Sequence, residues 1–504
     1  MKLISIDKLN PSTYNPRAAD PRRLDLIELS LRKLGFLLPI YATPEGEIIS
    51  GHQRHHVAQR MGVKEVPVEF TKAMDLPERK GVNVAFNRAT NDLKPGDTPE
   101  NITQALSRVN LEEIAAAVPD KKPDTPEFYP CLKAQVVPIA PLLKANTGRW
   151  IQYAASISKT LYLKGVLMPV VATKDFKVVN GIGRLQMQAE QKKKEVAVVF
   201  VTEAEARLAD AMLNLLSMDF DIHNRYRDLL RYNSFRRLRR VREDLGRGFI
   251  FAIAGETASK DFQVTEPKNK TRWIKEHGKS ILDFGAGHLH ETQILRSIGV
   301  RVTPFEPYRV NEAEEIDKAM SLAVVDEFLE DVGEKKIPYN SIFISSVLNS
   351  VPFEEDRKHI ICICAALCSP QTKLYAVATS TNHLNIRQLR GYNSLNQRQS
   401  TGRVFLLEYE PGITLGDVTA SPKVQKYHDQ HEFYCLFKEF FEIVQVTESN
   451  QNVQAICARP KPIDYKKLNA ALEFEFDLPY PDGSRMGRVI QAKAAFSERT
   501  GLVL

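Results

Sequence analysis

Apolar residues in the second half of the chain fall into short runs that alternate with longer segments of helical spacing. From about Trp273 onward this pattern predicts five strands with helices between them. The predicted strands are residues 281–284, 301–306, 323–326, 341–346 and 373–378. Two more apolar runs, 443–446 and 453–457, flank a Ser-Asn-Gln-Asn turn and predict an antiparallel hairpin. The alternation favours an α/β fold, with a mainly parallel sheet and helices on both faces.

The first two hundred residues contain an internal repeat. Residues 35–70 align with residues 165–200 at a constant offset of 130, and twelve of the 36 aligned residues are identical. The identical pairs are Gly35/Gly165, Leu37/Leu167, Pro39/Pro169, Ala42/Ala172, Thr43/Thr173, Gly51/Gly181, Arg54/Arg184, Lys64/Lys194, Glu65/Glu195, Val66/Val196, Val68/Val198 and Phe70/Phe200. A repeat of this length predicts two copies of one small domain, which we call copy one (residues 1–95) and copy two (residues 132–222).

A glycine turn in copy one has the features of an anion site. Two short apolar strands precede Gly51, and a helix is expected to begin near His52. The N–H groups at the start of a helix lack partners within the helix, and Arg54 lies close behind them. The pattern therefore predicts that the turn binds phosphate. The alternative is that Gly51 and Arg54 only build the turn.

Copy one resembles the ParB/sulfiredoxin fold, a small α+β domain. The segments that carry the resemblance are Leu9-Asn-Pro, Asn15-Pro-Arg17, Gly35-Phe-Leu-Leu-Pro-Ile40 and Gly51-His-Gln-Arg-His-His-Val-Ala58. In that superfamily the G-x-x-R turn holds the phosphates of CTP or ATP. The resemblance implies a nucleotide site formed by Gly51, His52, Gln53 and Arg54, with Arg17 nearby.

Copy two keeps the glycine and the arginine of this turn but not the polar residues between them. It has Gly181 and Arg184, with Ile182 and Gly183 in place of the histidine and the glutamine. We expect copy two to bind more weakly, to be mainly structural, or to take a different ligand.

A second kind of glycine turn follows the first strand of the C-terminal half. Asp283, Gly285 and Gly287 lie where that strand ends, and Glu306 ends the next strand. Glycine lets the backbone approach a ligand, and a carboxylate in this place can accept hydrogen bonds from both ribose hydroxyls. The segment resembles the S-adenosylmethionine (SAM) site of class I methyltransferases, which have a Rossmann-like seven-stranded fold. The family pattern is D-x-G-x-G-x-G, and Leu289 occupies the third glycine position. A dinucleotide fold or a copy that binds no cofactor is the alternative.

The segment after the fourth predicted strand resembles putative methyltransferases of DNA-modification loci. Ser345-Ser-Val-Leu-Asn349-Ser-Val-Pro352, followed by Arg357, carries this resemblance. It implies that Ser345 and Asn349 border the site of methyl transfer. Asp326, at the end of the third predicted strand, would then meet the adenine of SAM. The sequence has no [DNS]-P-P-[YFW] tetrapeptide, so the acceptor atom is not identified.

The distribution of charge favours a polyanionic partner. The formal net charge is +7, which is compatible with nucleic-acid binding. Nine arginines lie between residues 225 and 247, with aromatic residues among them. Those expected to contact the phosphates of DNA or RNA are Arg231, Arg236, Arg237, Arg239 and Arg240. The alternative is a solvated helix that links two domains.

These patterns divide the chain into six segments. They are copy one (1–95), a linker (96–131), copy two (132–222), an arginine-rich helical linker (223–272), a methyltransferase-like domain (273–462) and a C-terminal tail (463–504). We predict a SAM-dependent methyltransferase that modifies nucleic acid, with the ParB-like copies binding nucleotide or DNA. The alternative is a nucleotide-dependent DNA-binding protein whose methyltransferase-like half is a scaffold without catalysis.

Cysteine usage and hydropathy bear on the location of the protein. Six cysteines show no disulfide framework, and no apolar run approaches the ~20 residues of a membrane span. We therefore expect no membrane partner and a cytoplasmic location, in a bacterium or a phage-infected cell. Phage and mobile-element modification proteins have this kind of architecture. No metal site is expected, and a homodimer is one alternative for the undefined oligomeric state.

Overall fold

In this computed structural model the described residues are 2–12, 21–89, 110–122, 133–147, 158, 161–162, 165–166, 168–215, 249–251, 263–313, 315–383, 386, 404–406, 410–416, 423–480 and 482–504. The chain forms two compact units. The first unit comprises Met1–Asn233 and Gln388–Lys423, and the second comprises Ser234–Arg387 and Val424–Leu504. Copy one and copy two both lie in the first unit.

Copy one is a four-stranded sheet with helices packed on it. Its elements are β1 (Lys2–Ser5), the 3₁₀ turn Ile6–Lys8, α1 (Pro21–Leu34), β2 (Ile40–Ala42), β3 (Ile48–Ser50), α2 (His52–Arg60), β4 (Glu65–Phe70) and α3 (Leu76–Ala89). The strand order is β1-β4-β2-β3, with β4 antiparallel to β1 and parallel to β2. Val66 and Val68, two residues apart on β4, point to the same face. There they join Ile40 of β2 and Val57 of α2 in one buried cluster.

Copy two has the same sheet. The elements that follow copy one are α4 (Leu111–Ala116), β5 (Gln135–Pro138), α5 (Ile139–Ala145), β6 (Val170–Thr173), β7 (Val178–Asn180), α6 (Ile182–Glu190), β8 (Glu195–Val201), α7 (Glu203–Asp210) and the π-helical turn Ala211–Leu215. The strand order is β5-β8-β6-β7, with the same pairing directions. The irregularity between Tyr41 and Ala42 recurs between Val171 and Ala172, at the offset found in the sequence.

The two copies share a hydrophobic cluster. Leu34 and Leu37 of copy one pack with Val171 and Leu208 of copy two. Ala115 of helix α4 belongs to the same cluster, although α4 lies in the segment predicted as a linker (96–131). The described part of that segment is therefore built into the core of the first unit.

The second unit begins as alternating strands and helices. Its elements up to the fourth strand are the 3₁₀ turn Phe249–Phe251, α8 (Pro267–His277), β9 (Ser280–Phe284), α9 (His290–Ser297), β10 (Arg301–Phe305), α10 (Lys318–Gly333), β11 (Ser341–Ser345), the 3₁₀ turn Leu348–Ser350, α11 (Glu354–Ala366) and β12 (Lys373–Thr379). The chain then forms an antiparallel hairpin of the first unit, β13 (Val404–Leu406) with β14 (Ile413–Gly416). The remaining elements are β15 (Lys423–Lys426), α12 (Gln430–Lys438), β16 (Phe441–Glu448), β17 (Asn452–Pro460), α13 (Tyr465–Glu475) and α14 (Val489–Thr500).

One sheet runs through the second unit in the order β10-β9-β11-β12-β17-β16. The first four strands in this order are parallel, and β17 and β16 are antiparallel to their neighbours. The α/β alternation and the terminal antiparallel hairpin match the prediction from the sequence. Because parallel strands share one carboxyl edge, the ends of β9, β10 and β11 lie side by side and can form one site.

The described residues of this sheet form six strands, whereas we predicted seven. Residues 323–326, expected to be the third strand, lie inside α10. The Asp317 carboxylate caps this helix by accepting a hydrogen bond from the backbone N–H of Met320, at 2.9 Å. Its buried positions include Val324, Val325 and Phe328, which have helical spacing. The short apolar run is therefore the inner face of a helix.

The segment 463–504 belongs to the core, although we expected a tail. Leu468 and Leu472 of α13 are fully buried, as are Phe476 and Phe496. The boundary at residue 462 is therefore wrong, since these side chains fill the same hydrophobic cluster as the sheet.

The boundary at residue 273 also excluded part of the core. The side chains of Phe249–Phe251 are buried, and the Ile250 carbonyl accepts a hydrogen bond from the indole of Trp273 at 2.9 Å.

Within the ranges given above, no helix combines the length and the apolarity that a membrane span requires.

Candidate functional site

The glycine turn after β9 keeps its backbone shape despite the leucine at the third glycine position. Gly285 has φ 89° and Gly287 has φ 56°. Leu289 has φ 61°, which is left-handed backbone that glycine adopts at no steric cost. The helix α9 begins directly after it. Leu289 thus adds local strain and leaves the turn in place.

The Glu306 carboxylate lies at the end of β10 and is held beside the glycine turn. It is 5% exposed. The backbone N–H of Gly287 donates to its Oε2 at 2.8 Å, and the N–H of Tyr308 donates to its Oε1 at 2.9 Å. These two backbone donors fix the orientation of the Glu306 carboxylate, whose oxygens can each accept more than one hydrogen bond.

Asp283 is buried at the end of β9 and contacts the helix that follows. The hydroxyl of Thr292, in α9, donates to its Oδ2 at 3.2 Å. Asp283 therefore ties the glycine turn to α9, which fixes the angle at which the helix leaves the sheet.

The space in front of the turn differs between its two glycines. A Cβ atom on Gly287 would meet no atom of the described residues within 4 Å, whereas a Cβ on Gly285 would lie 2.2 Å from Cγ2 of Val347. Val347 belongs to the loop after β11. That loop therefore rests on Gly285, while the Gly287 side, next to Glu306, is open.

The last residue of β11 and the loop after it contain buried polar atoms without a described partner. Ser345 Oγ and Asn349 Oδ1 are buried, and within the described residues they have no hydrogen-bond partner. Ser346, between them in sequence, has φ 59°. Burying a polar atom without a partner costs roughly 1–3 kcal/mol, and strained backbone tends to cluster at ligand sites. Ser345 and Asn349 thus remain good candidates for contacting a polar ligand.

Asp326 is not at the end of a strand. It lies in α10 with an exposed side chain, and its carboxylate forms a bidentate pair with Arg488 at 2.7 and 3.1 Å. The predicted contact with adenine assumed a third strand, and that strand is replaced by the helix.

Sequence reasoning missed Arg309, three residues after Glu306. Its guanidinium donates to the carbonyl of Gly287. Burial lowers the pKa of Arg309, and the charge of Glu306 opposes that shift. Gly287 is thus held through its N–H by Glu306 and through its carbonyl by Arg309. An arginine shortly after the acid was the only signal in the sequence.

A buried charge cluster near the end of β12 was also missed. The Glu432 carboxylate lies 2.8 Å from Lys426 Nζ, 3.4 Å from His428 Nδ1 and 3.8 Å from Arg357. Burial opposes the charge of Glu432, but its contacts with His428 and Lys426 outweigh burial and lower the pKa to about 2. Burial lowers the pKa of His428 to about 4. Arg357 also donates to the Val351 carbonyl at 2.9 Å, so the cluster supports the loop after β11.

The glycine turn of copy one begins α2 as predicted. Gly51 has φ 102°, and the His52 ring lies 2.7 Å from the Ser12 hydroxyl. Arg54 donates to the Leu38 carbonyl. Gln53 Nε2 is buried and has no partner among the described residues. The arginine therefore braces the turn in this structure, and a role for these residues in phosphate binding stays a prediction.

The equivalent turn of copy two is buried. Gly181 has φ 105°, nearly that of Gly51. Arg184 is 3% exposed and donates to Asn180 Oδ1 at 2.7 Å. Ile182 is also buried. Copy two thus keeps the backbone of the turn and covers the surface at which copy one is open.

Two groups of predicted residues lie outside the described residues. They are Arg17 and the arginines Arg231, Arg236, Arg237, Arg239 and Arg240. Where the structure does describe the chain, no three His, Cys, Asp or Glu side chains are grouped as a metal site requires.

Similarity to known proteins divides between the two ends of the chain. Residues 1–85 match the ParB N-terminal domain. A probable chromosome-partitioning protein ParB of Coxiella burnetii is 39% identical over 79 residues, which are 15% of this chain and 27% of that protein. The chain thus spans about a quarter of the length of this relative.

Solved structures that match the chain include SAM-dependent methyltransferases. One from Methanosarcina mazei is 18% identical and has a TM-score of 0.24. The match covers 37% of this chain and 93% of the Methanosarcina chain. The CcbJ methyltransferase of Streptomyces caelestis is 11% identical, covers 36% and 83%, and has a TM-score of 0.22. The sheet of the second unit has the strand order β10-β9-β11-β12-β17-β16, with a terminal antiparallel hairpin.

Proposed function

We propose that the second unit binds SAM at the carboxyl ends of β9, β10 and β11 and transfers its methyl group to nucleic acid. The observation that carries the proposal is the Glu306 carboxylate, which is buried and oriented beside Gly287, where space is open. A carboxylate in this place suits the two hydroxyls of a ribose.

The residues at this edge fit the parts of SAM. Glu306 would accept the ribose hydroxyls, and the backbone at Gly287 would pass the ligand closely. Ser345 and Asn349 would supply hydrogen-bond partners for its polar groups, which relieves two buried unpaired atoms. Asp283 and Arg309 would hold the turn in shape without touching the ligand. When bound, SAM supplies an electrophilic methyl group on a sulfonium.

Nucleic acid is the acceptor that the rest of the chain favours. The first 85 residues match a domain of chromosome-partitioning proteins, and the net charge is +7. The arginine-rich segment between residues 225 and 247 has the composition of a phosphate-binding surface. We therefore propose that the first unit and this segment bring DNA or RNA to the methyltransferase-like unit.

Replacing the ribose acid tests the cofactor site. Glu306→Ala removes the acceptor of two ribose hydrogen bonds, which should weaken SAM binding by roughly 2–4 kcal/mol. Isothermal titration calorimetry with SAM measures the change.

Glu312→Ala is the matched control, because it removes the same charge from an exposed side chain near the same edge. The control should bind SAM like the wild type. Equal affinity in the wild type and in Glu306→Ala, with both proteins folded, would remove Glu306 from the site.

A further inference from the structure

Four ionisable side chains of the second unit meet beside the carboxyl edge of its sheet. We call them the charge cluster; they are Arg357 of α11, Lys426 of β15, Glu432 of α12 and, between the last two in sequence, His428. The backbone of His428 is bonded where β12 ends. Its N–H donates to the Thr379 carbonyl and its carbonyl accepts from the N–H of Thr381, each at 2.9 Å. The charge cluster therefore lies at the same edge of the sheet as the proposed cofactor site.

The charge cluster is buried around one carboxylate. Oε1 of Glu432 is the atom that the other three side chains approach, and those three are at most 1% exposed. Taking charged groups out of water is costly, and apolar residues of the same volume are often at least as stable in such a place. The charge cluster is therefore better explained by the groups that it holds in position than by a gain in stability.

Arg357 joins the charge cluster to the loop after β11. Its Nη1 donates to the Val351 carbonyl at 2.9 Å, and its Nη2 lies 3.8 Å from Oε1 of Glu432. The donors of a guanidinium form a rigid planar fork, so the direction of one contact constrains the direction of the other. The position of Val351, directly after the 3₁₀ turn of this loop, therefore depends on the carboxylate of Glu432.

The beginning of the same loop is held by the sheet and the glycine turn. The N–H of Ser346 donates to the Val377 carbonyl of β12 at 2.9 Å, and Val347 packs against Gly285. Asn349 lies between these contacts and Val351, and its Oδ1 is buried without a hydrogen-bond partner in the described part of the chain. A loop that is fixed on both sides of Asn349 holds this oxygen in place before a ligand arrives.

We propose that Arg357 is a positioning residue for methyl transfer, which holds the loop after β11 so that Asn349 is correctly placed for the reaction. This role rests on the proposed SAM site. A misplacement of about 1 Å caused by a distant change can slow a reaction about 100-fold. The affinity for SAM depends less on the charge cluster, because backbone N–H groups of Gly287 and Tyr308 orient Glu306.

Two substitutions release the loop in different ways. Arg357→Lys keeps the positive charge and loses the planar fork, whereas Glu432→Gln keeps the size of the side chain and loses its charge. The rate of methyl transfer is measured with the full chain at saturating SAM and nucleic acid, and the Kd of SAM is measured by calorimetry. In both variants we expect a rate at least about tenfold lower and a Kd changed by less than about threefold.

Glu439→Gln is the matched control. Like Glu432, this residue forms an ion pair with α11, in this case with Lys358 at 3.1 Å. The side chains of the two acids are also exposed to a similar extent, 28% for Glu439 and 26% for Glu432. The control removes one charge and one ion pair between the same parts of the chain, and it should change neither the rate nor the Kd.

Hydrogen exchange tests the loop without depending on methyl transfer. The N–H groups of Ser346, Ser350 and Val351 are all hydrogen-bonded. They should exchange at least about fivefold faster in Arg357→Lys and Glu432→Gln, and at the wild-type rate in Glu439→Gln. If one of the two cluster variants does not fold, the other decides.

Unchanged exchange in the loop, or an unchanged rate of methyl transfer in both cluster variants, would overturn the positioning role. A loss of SAM affinity as large as the loss of rate would also overturn it, because the charge cluster would then act on the cofactor site as a whole. A wild type that binds no SAM or transfers no methyl group would instead contradict the proposed function, on which this role rests.

Discussion

Copy one and copy two have nearly the same backbone and expose different chemistry. Their sheets share strand order, pairing and the irregularity in the second strand, and their turn glycines have φ of 102° and 105°. In copy one the turn carries His52 and Gln53 and is partly exposed. In copy two Ile182 and Gly183 stand in their place and the turn is buried. The glycine and the arginine are thus enough to specify the turn.

This difference between the two turns separates the residues that build the turn from those that do not. Gly51 and Arg54 have equivalents in copy two, so their presence in a sequence indicates only the shape of the turn. His52 and Gln53 have none, and they lie at a helix start that remains accessible. If copy one binds a nucleotide, the residues that copy two has lost are the ones that distinguish the two turns.

The largest difference in stability between the two copies is expected when the turn glycines are replaced. A Cβ on Gly181 would lie 2.5 Å from Arg184 Nη2, whereas the closest atoms to a Cβ on Gly51 are 3.2 Å away. Gly181→Ala should therefore destabilise α6 by about 2–4 kcal/mol, and Gly51→Ala should destabilise α2 by about 1–2 kcal/mol.

Hydrogen exchange of the two helices measures these local stabilities, since a chain of several units does not unfold in one step. Equal losses of local stability in the two variants would show that burial of the turn does not change the cost of replacing its glycine.

Replacing the arginine of the turn should likewise cost more stability in copy two than in copy one. Arg184→Met removes the hydrogen bond that the guanidinium donates to the buried Asn180 amide oxygen and should cost about 1–3 kcal/mol. Arg54→Met, at a half-buried position, should cost less than about 1.5 kcal/mol, because water can reach the Leu38 carbonyl that it leaves. The same exchange measurement applies. A larger loss for Arg54→Met would mean that copy one depends more on its turn than copy two does.

The smallest expected difference between the two copies is in how their stability depends on pH. Burial lowers the pKa of His55 below its usual 6.5, and the equivalent residue of copy two is Leu185. As the pH falls below 6.5, His55 binds a proton in the unfolded chain, whereas it stays neutral to a lower pH in folded copy one. The contribution of His55 to stability is therefore present above that pH and is lost as the pH falls below it.

Protection of α2 against hydrogen exchange, corrected for intrinsic rates, should decline more than that of α6 between pH 7.5 and 5.5. His55→Leu should remove the excess decline. A decline that persists in this variant would assign the pH dependence to another group of copy one.

Local patterns in the sequence were sufficient for much of the fold. The offset of 130 located both glycine turns, because identical residues at Gly51 and Gly181 require the same left-handed backbone. The parallel strands β9 and β11 were recognisable from their length and their β-branched residues. The position of Glu306 at the end of β10 was predictable because it depends on only two neighbouring strands.

The errors arose where distant residues decide the outcome. Residues 323–326 form a short apolar run that fits a strand or a buried helix equally well, and its packing inside α10 decides for the helix. The segment from 463 looked like a tail because the partners of Phe476 and Phe496 lie far away in sequence. The contact of Val347 with Gly285 depends on a loop 62 residues later in the chain (347 minus 285), so no local pattern indicates it.

Methyl transfer by the intact protein is the most direct test of the proposed function. The measurement incubates the full chain with SAM labelled on the methyl group, together with duplex DNA, single-stranded DNA or RNA, and counts the label that remains with the polymer. We expect label on nucleic acid with the wild type, loss of this label in Glu306→Ala and its retention in Glu312→Ala. Label on none of these polymers, with SAM bound by the wild type, would contradict nucleic acid as the acceptor. Failure of the wild type to bind SAM at all would contradict the cofactor site itself.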